Sequence, residues 1–467
     1  MYAYLSAKQS KSDFVLRIED TDQERSVPGA IENILEVLHW AGIGPDEGVV
    51  LEKGVVTQKG SKGPYIQSER LDLYKQYAEQ LLKSGNAYRC FCSPERLDEM
   101  RKGQQAKKQP PMYDRLCCSL SEEEVKKRVD AGENHVIRMK IPREQLITFN
   151  DEIRGKVEFR GDTIDDQVLM KSDGFPTYHL AHVVDDHLMD INIIIRGEEW
   201  ISSLPKHLLL FQFFGWKEPR YAHVPLLLNK DKSKLSKRQN DVATRDYIDK
   251  GYLPEALINF LALLGWNPGT TEEIFTMEDL IKRFSLDRVQ KSGAIFDLEK
   301  LDWLQGQWIR RIPIKEFAER IQPIVAEKYL DAKRDSEFEE KAALIQERIT
   351  FFPEAAKMFS YFYEEPKVKK DLILNEKQKV AEDKAAEYLS ATIEALESID
   401  EKKWNEETLK EILFDLVEKK KYKRGQILWP MRAALTGLPY SPGAFEVANL
   451  LGKKTSIDRL KATQALF

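Results

Sequence analysis

The chain has 467 residues, which is too long for one hydrophobic core and predicts two to four domains. Hydrophobic residues make up 42% of it, and this content excludes a largely disordered chain. Lys and Arg number 72 against 77 Asp and Glu, giving a formal charge of −5. This charge excludes a uniformly basic surface, so any nucleic acid must be held by local basic patches.

Cysteine content and hydropathy indicate the compartment. No apolar run approaches the length of a membrane span, and Met1 to Ser6 do not have the charged start of a signal peptide. Four cysteines in a chain of this size favour a reducing compartment. We therefore expect a soluble, cytoplasmic protein that has no membrane partner.

The first predicted element is Asp13 to Asp22, whose apolar half predicts a buried strand of a parallel sheet. The strand runs directly into an acidic turn that contains Glu19 and Asp22. Because ligands bind at the carboxyl ends of parallel strands, this turn is a candidate site. The alternative is an acidic turn that only caps the next helix, which Gly42 ends.

Residues 86–175 differ in composition from the segments around them and predict an inserted domain with short strands. Cys90, Cys92, Cys117 and Cys118 lie within it and offer enough sulfur ligands for a tetrahedral zinc site. Adjacent cysteines rarely bind one metal together, and no histidine lies near Cys117. Free thiols are therefore the favoured interpretation, and structural zinc is the alternative.

Pro176 and Thr177 predict the start of a helix that carries Tyr178 and His182 on one side, four residues apart. His182 could share a metal with Asp186, but no third ligand is evident. A helix end capped by the neighbouring aspartates is the favoured interpretation.

An Ile-rich segment at 190–195 predicts a second buried strand, which ends at Arg196 and Glu199. It delivers charged side chains at its carboxyl end, as the first strand does. An arginine at this place can bind a carboxylate through two hydrogen bonds, or form a salt bridge to the acidic turn.

A basic loop at 229–238 follows a predicted strand at 224–228. Lys234 and Lys237 lie three residues apart around Ser236, so both ammonium groups can reach one polyphosphate. A lone motif of this kind is more often a solvated hairpin, and only the other motifs found with it in this sequence favour a catalytic role. From about residue 311 onward the pattern is charged, amphipathic and helical.

An ordered set of motifs resembles glutamyl-tRNA synthetase of the bacterial and organellar type, and the likeness covers essentially the whole chain. The motifs are Arg17-Ile18-Glu19-Asp20-Thr21-Asp22, Pro176-Thr177-Tyr178, Asp185-Asp186-His187, Arg196-Gly197-Glu198-Glu199-Trp200 and Lys234-Leu235-Ser236-Lys237-Arg238. Each motif alone is weak, whereas the set in this order is specific.

The resemblance implies an α/β Rossmann-type catalytic domain with an inserted α+β acceptor-binding domain, followed by all-α stem-contact and anticodon-binding domains. The corresponding ranges are 1–85 and 176–228 for the catalytic domain, 86–175 for the insertion, 229–310 for the stem-contact region and 311–467 for the anticodon-binding domain.

The resemblance also implies a role for each site residue. Glutamate recognition falls to Glu19, Tyr178, His182 and Arg196, with Arg196 pairing with the side-chain carboxylate. ATP binding falls to Glu199 and to the loop residues Lys234, Leu235, Ser236, Lys237 and Arg238, of which Lys234 and Lys237 are catalytic. Contacts to tRNA fall to Asp22, near the acceptor end, and to Arg348, at the anticodon loop.

The implied reaction has two steps that need no protein nucleophile. Glutamate attacks ATP, accompanied by Mg²⁺, to give glutamyl-adenylate, and a terminal ribose hydroxyl of tRNA(Glu) then takes the acyl group. The protein is expected to be a monomer. Zinc is not expected, because Ser119 stands where relatives that match Cys90, Cys92 and Cys117 have a histidine ligand.

The sequence departs from the family in one respect. Its members begin with a strand and a His-x-Gly-His-type loop that binds ATP, whereas here Met1 to Leu5 matches the helix that follows this loop. Lost donors of this kind cost roughly 10²–10³ each in rate, so we expect the chain as written to activate glutamate feebly or not at all.

The alternatives are a catalytically impaired tRNA-binding protein derived from a synthetase, a short relative that glutamylates a tRNA base, and a glutaminyl-tRNA synthetase. The long helical tract after residue 311 speaks against the second, and the charge of Arg196 speaks against the third.

Overall fold

The structure, a computed structural model, describes residues 1–22, 27–235 and 244–467. The chain divides into a first unit, residues 1–248 with 257–297, and a second unit, residues 249–256 with 298–467. All strands of the described residues belong to the first unit, and the second unit is helical there. An α/β part followed by a helical part agrees with the predicted fold class.

The strands of the described residues are β1 Val15–Leu16, β2 Glu47–Glu52, β3 Val55–Lys59, β4 Ala87–Cys90, β5 Val136–Met139, β6 Leu146–Asp151, β7 Gly155–Arg160, β8 Val168–Met170, β9 Ile193–Gly197, β10 Arg220–Val224, β11 Leu227–Leu228 and β12 Ala294–Ile295. The α-helices that begin in the first unit or at its border are α1 Tyr2–Gln9, α2 Ala30–Trp40, α3 Leu71–Lys83, α4 Pro94–Ala106, α5 Glu122–Asp130, α6 Tyr178–Leu188, α7 Leu204–Phe214, α8 Thr244–Asp249, α9 Pro254–Leu263 and α10 Met277–Arg283. Those that follow in the second unit are α11 Leu298–Ile309, α12 Ile314–Lys328, α13 Phe338–Gln346, α14 Glu354–Met358, α15 Ser360–Tyr363, α16 Lys370–Ile373, α17 Glu382–Glu397, α18 Glu406–Lys420, α19 Arg424–Thr436 and α20 Ala444–Gln464.

The largest sheet has the strand order β7-β6-β10-β9. Strands β9 and β10 are parallel and are joined through α7, which makes a β-α-β crossover. Strand β6 runs parallel to β10 on its other side and forms an antiparallel hairpin with β7. Residues 146–160, which lie in the predicted insertion, therefore extend the same sheet as Arg196.

The described residues form three smaller sheets, with the orders β1-β2-β3, β4-β5-β8 and β11-β12. In the first of these, β1 pairs in parallel with β2, as the sequence predicts for a strand before an acidic turn. Its two residues are half-buried rather than buried.

The core of the first unit lies between α3, α6 and α7, where Tyr74, Leu180 and Leu209 have no exposed surface. Helix α7 is held at both ends, because Pro205 lies in its first turn and Gly215 ends it with a left-handed backbone. Helices α6 and α7 each place one side chain, Tyr178 and His207, against Arg196 of β9.

Two predicted elements differ in the structure. The strand expected at 224–228 falls on two strands, the end of β10 and the whole of β11. Pro225 lies between them and lacks the N–H group that a continuous strand would need for pairing. The strand expected at 190–195 begins three residues later, as β9, and is half-buried rather than buried. Both shifts leave Arg196 and His223 side by side on neighbouring strands.

Within the described ranges, no helix has both the length and the apolar character that crossing a membrane requires.

Candidate active site

Four residues predicted to recognise glutamate line one cavity of the first unit, which has a volume of about 610 Å³. Glu19 follows β1, Tyr178 and His182 lie on the first turns of α6, and Arg196 lies near the end of β9. Thr177 stands at the N-cap of α6 after Pro176, as the sequence predicts. The structure therefore brings these four predicted residues together.

The guanidinium of Arg196 has three neutral partners. Its Nε donates to Nε2 of His223 at 3.2 Å, and its Nη1 donates to the hydroxyl of Tyr178 at 3.3 Å. Its Nη2 lies 3.3 Å from Nδ1 of His207. Trp200 and Tyr221 each lie 5.7 Å from the guanidinium carbon, measured to the ring centroid. These contacts orient the arginine, and they leave its charge available to an anion.

The acidic residues of the site pair with other arginines. Arg17 contacts Glu19 at 3.0 Å, Asp186 at 2.8 Å and Asp185 at 3.5 Å. Arg70 contacts Asp185 at 2.8 Å. Asp185 and Asp186 lie inside α6 and do not cap its end, so that expectation was wrong. Their carboxylates instead hold Arg17 and Arg70 in a buried ionic network.

Three histidines of the site are neutral. Burial lowers the pKa of His179 to about 3, and burial together with nearby arginines places the pKa of His182 and His207 well below the usual range. His182 lies 3.1 Å from Asp186, and His207 lies between His179 at 2.9 Å and His182 at 3.3 Å. Among the described residues His182 and Asp186 gain no third metal-binding side chain, so the metal alternative has no support there.

The basic loop is described as far as Leu235. It follows β11, which pairs in parallel with β12, and Leu228 faces Lys234 in a short antiparallel bridge. The amide of Leu235 donates to the carbonyl of Leu227 at 3.0 Å, and Lys234 is exposed on the resulting hairpin. Ser236, Lys237 and Arg238, which were also predicted to bind ATP, lie outside the described residues.

Two further predicted residues lie at exposed positions of the first unit. Glu199 lies in the turn that follows β9, with its carboxylate packed against the backbone of Gly197. Asp22 lies at the end of the first described range, beyond Glu19. Neither residue lines the cavity that contains Arg196.

The cysteines form a separate cluster in the predicted insertion. One sulfur each from Cys90, Cys92 and Cys117 lie within 4.8 Å of one another, and Cys118 stands outside this group. The hydroxyl of Tyr113 lies 3.3 Å from the sulfurs of both Cys90 and Cys92. Sequence reasoning, which looked for a histidine as the fourth ligand, missed Tyr113.

The position predicted for an anticodon contact lies in the second unit. Arg348 is exposed beside a cavity of about 490 Å³, which Trp429, Arg432 and Tyr440 also line. Arg432 lies over the ring of Trp429 at 4.5 Å, and Tyr440 is 85% exposed. Arg348 and Arg432 both line this cavity, so two positive charges face one opening. Burial and the nearby charge of Arg348 lower the pKa of Arg432.

Sequence reasoning missed three residues that surround Arg196. His207 and His223 are fully buried, and Asp151 is 1% exposed. One signal was available in the sequence, because His223 directly precedes the strand predicted at 224–228, and a histidine buried there needs a polar partner. The partner itself, Asp151, could not be found without the sheet order.

Comparison with known proteins agrees with this arrangement. Residues 1–303 match the family described as tRNA synthetases class I (E and Q), catalytic domain, and residues 316–464 match an anticodon binding domain. A glutamate–tRNA ligase of Finegoldia magna is 45% identical over 466 residues, covering 98% of this chain and 94% of its own. One of Prosthecochloris aestuarii is 44% identical over 478 residues, covering 99% and 93%.

Solved structures give the same result. A glutamate tRNA ligase from Elizabethkingia meningosepticum, crystallised in complex with its amino acid, superposes with a TM-score of 0.86 at 36% identity, covering 99% of this chain and 95% of that one. The glutamate-tRNA synthetase of Elizabethkingia anophelis gives 0.84 at 37% identity, with the same coverage.

The fold and the site thus define a class I aminoacyl-tRNA synthetase, with a Rossmann-type catalytic domain and a helical anticodon-binding domain. Within this class, the chain belongs to the glutamate–tRNA ligase family.

Proposed function

We propose that this chain attaches L-glutamate to tRNA(Glu) at the expense of ATP, as a glutamate–tRNA ligase. Relatives that are 43–45% identical over nearly the whole chain carry this name. The observation that carries the proposal is the state of Arg196, a guanidinium whose three contacts in the cavity are all to neutral groups.

An arginine of this kind favours a substrate carboxylate over an amide. The side-chain carboxylate of glutamate can accept two charge-assisted hydrogen bonds from one guanidinium, whereas the amide of glutamine accepts weaker ones and brings its own donors. Glu19 adds a carboxylate to the wall of the same cavity and suits the ammonium group of an amino acid. Tyr178, hydrogen-bonded to Arg196, and His182 complete the set that we assign to glutamate.

The chemistry then follows from position and charge. The glutamate α-carboxylate attacks the α-phosphate of ATP, pyrophosphate leaves, and the ribose hydroxyl of the tRNA end displaces AMP from the adenylate. Lys234 and Lys237 would balance the charge that develops on the phosphates, and Glu199 with the rest of the loop would hold the nucleotide. Mg²⁺ is the proposed ATP partner, since it neutralises polyphosphate oxygens in such transfers.

Binding of tRNA is assigned to both units. Asp22 follows Glu19 in the chain, and Arg348 lies beside the cavity with Arg432 in the segment that matches an anticodon-binding domain. The five predicted domain ranges, the monomeric state and the cytoplasmic location are retained as parts of this proposal. The four free cysteines support a reducing compartment.

The experiment is aminoacylation of tRNA(Glu) with glutamate or glutamine by the chain and by Arg196→Gln. Losing one member of a buried charge pair costs roughly 2–5 kcal/mol, so kcat/KM for glutamate should fall at least 30-fold. The preference for glutamate over glutamine should shrink as well. Arg220→Gln, an exposed arginine on the neighbouring strand, serves as the control and should leave both values unchanged.

Two results would overturn the proposal. One is an unchanged preference for glutamate in the Arg196 variant, and the other is no glutamylation with tRNA still bound by the unmodified chain. The second result would favour a catalytically impaired tRNA-binding protein, an alternative that gains no support from the comparisons.

A further inference from the structure

Three side chains form a line across three neighbouring strands of the largest sheet. Asp151 ends β6, His223 lies on β10, and Arg196 lies on β9 directly beside His223 in the parallel register. The carboxylate of Asp151 lies 2.6 Å from Nδ1 of His223, and Nε2 of His223 lies 3.2 Å from Nε of Arg196. We propose that Asp151 and His223 are positioning residues that set the orientation of Arg196 and thereby the selectivity for glutamate.

The proton on His223 can be assigned from its two partners. Arginine can only donate a hydrogen bond, so Nε2 of His223 must present its lone pair to Arg196. The proton therefore sits on Nδ1 and is donated to Asp151. The imidazole is a neutral spacer that passes the orientation of Asp151 to Arg196 without placing a negative charge against the guanidinium.

Asp151 is itself held in a fixed position. Its Oδ1 accepts hydrogen bonds from the backbone amides of Ile153 at 3.0 Å and Arg154 at 2.9 Å. Burial alone would raise the pKa of Asp151, but the hydrogen bonds from His223 and from these amides outweigh it and keep the pKa below its usual value. An ionised carboxylate that accepts several hydrogen bonds holds the imidazole bound to it in a fixed orientation.

The tip of the β6–β7 hairpin makes a second contact with the same strand ends. Nε of Arg154 donates to the carbonyl of His223 at 3.3 Å, and its Nη2 pairs with Glu198, directly after β9. The other oxygen of Glu198 accepts the amide of Leu226 at 3.2 Å. The hairpin therefore ties together the ends of β9 and β10, between which Arg196 projects.

The inference rests on the proposed role of Arg196 and goes one step further. A guanidinium that is free to rotate can accommodate either a carboxylate or an amide, whereas one whose Nε is fixed by His223 presents only its remaining edge. Selectivity for glutamate is then a property of residues 151–154 as well as of Arg196.

Asp151→Asn tests this chain of contacts with a change of one atom. The backbone amides of Ile153 and Arg154 require an acceptor at Oδ1, so the amide oxygen of the asparagine takes that place. The NH₂ group of the asparagine then faces Nδ1 of His223 and donates to it, so the imidazole proton moves to Nε2. Nε2–H of His223 and Nε–H of Arg196 are then two donors that face each other without an acceptor. We expect the dissociation constant for glutamate to rise by roughly tenfold to a hundredfold, while kcat at saturating glutamate and the KM for ATP change little.

The control is Asp166→Asn, which alters an equally buried aspartate of the first unit that pairs with Arg115. It should affect stability without affecting glutamate binding, which calorimetric titration measures directly. A pair of substitutions at the spacer adds a second test. His223→Gln keeps an acceptor that can reach Arg196 and should retain more affinity than His223→Leu, which has none.

Several outcomes would overturn the inference. An unchanged glutamate dissociation constant in Asp151→Asn would do so, as would equal losses in His223→Gln and His223→Leu, or an equal rise in KM for ATP. Failure of the proposed function looks different, because in that case Arg196→Gln itself would leave glutamate binding intact. If Arg196→Gln loses affinity and Asp151→Asn does not, only the positioning role fails.

Discussion

A single histidine illustrates how burial at the site links stability to pH. The pKa of His179 is lowered to about 3 by burial, against about 6.5 for an exposed histidine. Between about pH 6.5 and pH 3, His179 therefore binds a proton in the unfolded chain but not in the folded chain. The free energy of unfolding falls as the pH is lowered through this range, and His179 causes no loss of stability above it. The contribution lost between pH 7 and pH 5 is about 2 kcal/mol.

We expect His179→Gln to flatten this dependence. Urea unfolding of the two proteins at pH 7, 6 and 5 should show the variant losing about 2 kcal/mol less on acidification than the parent chain. His182 and His207, whose pKa values are also lowered, remain in both proteins. Parallel pH profiles would contradict the assignment of a buried, neutral His179.

Residue chemistry could be predicted where it depends on position along one strand. Glu19 and Arg196 were found because each follows a run of apolar residues that predicts a strand, and sheets gather such ends. Asp151 and His223 are 72 residues apart, and no local pattern links them. Only the order β6-β10-β9 brings them to Arg196, and pattern reasoning did not supply that order.

The same contrast holds for elements. Helix α6 begins where Pro176 and Thr177 predict its start. The helical pattern predicted from about residue 311 onward did not show where single helices end, and between residues 338 and 363 the structure has three helices, α13, α14 and α15. Pro353 accounts for one break, because its ring and its missing N–H group end the helical ladder before it.

At the cysteine cluster, the structure favours structural zinc over the free thiols that the sequence predicted. Three sulfurs within 4.8 Å, together with the hydroxyl of Tyr113, supply four donor atoms without a histidine. The hydroxyl of Tyr113 supplies the fourth donor that Ser119 does not, so the number of donors matches the four ligands of a structural zinc site. Bound zinc would join the end of β4 to the turn that carries Cys117.

We expect metal analysis of the purified chain to find one zinc, and a chelator to lower its melting temperature. Cys92→Ser should lose the metal, while Cys118→Ser, which alters the neighbouring cysteine outside the group, should keep it. A metal-free chain with an unchanged melting temperature in both variants would instead support four free thiols.

At the scale of the whole molecule, the net charge of −5 requires that tRNA be held by local basic contacts. We propose that Arg348 and Arg432 provide one such place, because both line the same opening beside Trp429 and the exposed Tyr440. Aromatic rings and guanidinium groups around a cavity suit unstacked bases of a single-stranded loop. The residues that we propose for glutamate recognition, in contrast, all belong to the first unit.

Arg348→Gln should therefore raise the KM for tRNA(Glu) by roughly tenfold, the effect of one lost charged contact, and leave the KM for glutamate unchanged. The salt dependence identifies the kind of contact. If Arg348 binds a phosphate, the slope of log K against log salt should fall by about 0.7, whereas a contact to a base edge leaves the slope intact. Arg334→Gln, an exposed arginine of the same unit outside this cavity, gives the matched control. An equal rise in the KM for glutamate would mean that the substitution acts by disturbing the fold, and an unchanged KM for tRNA would remove Arg348 from the contact surface.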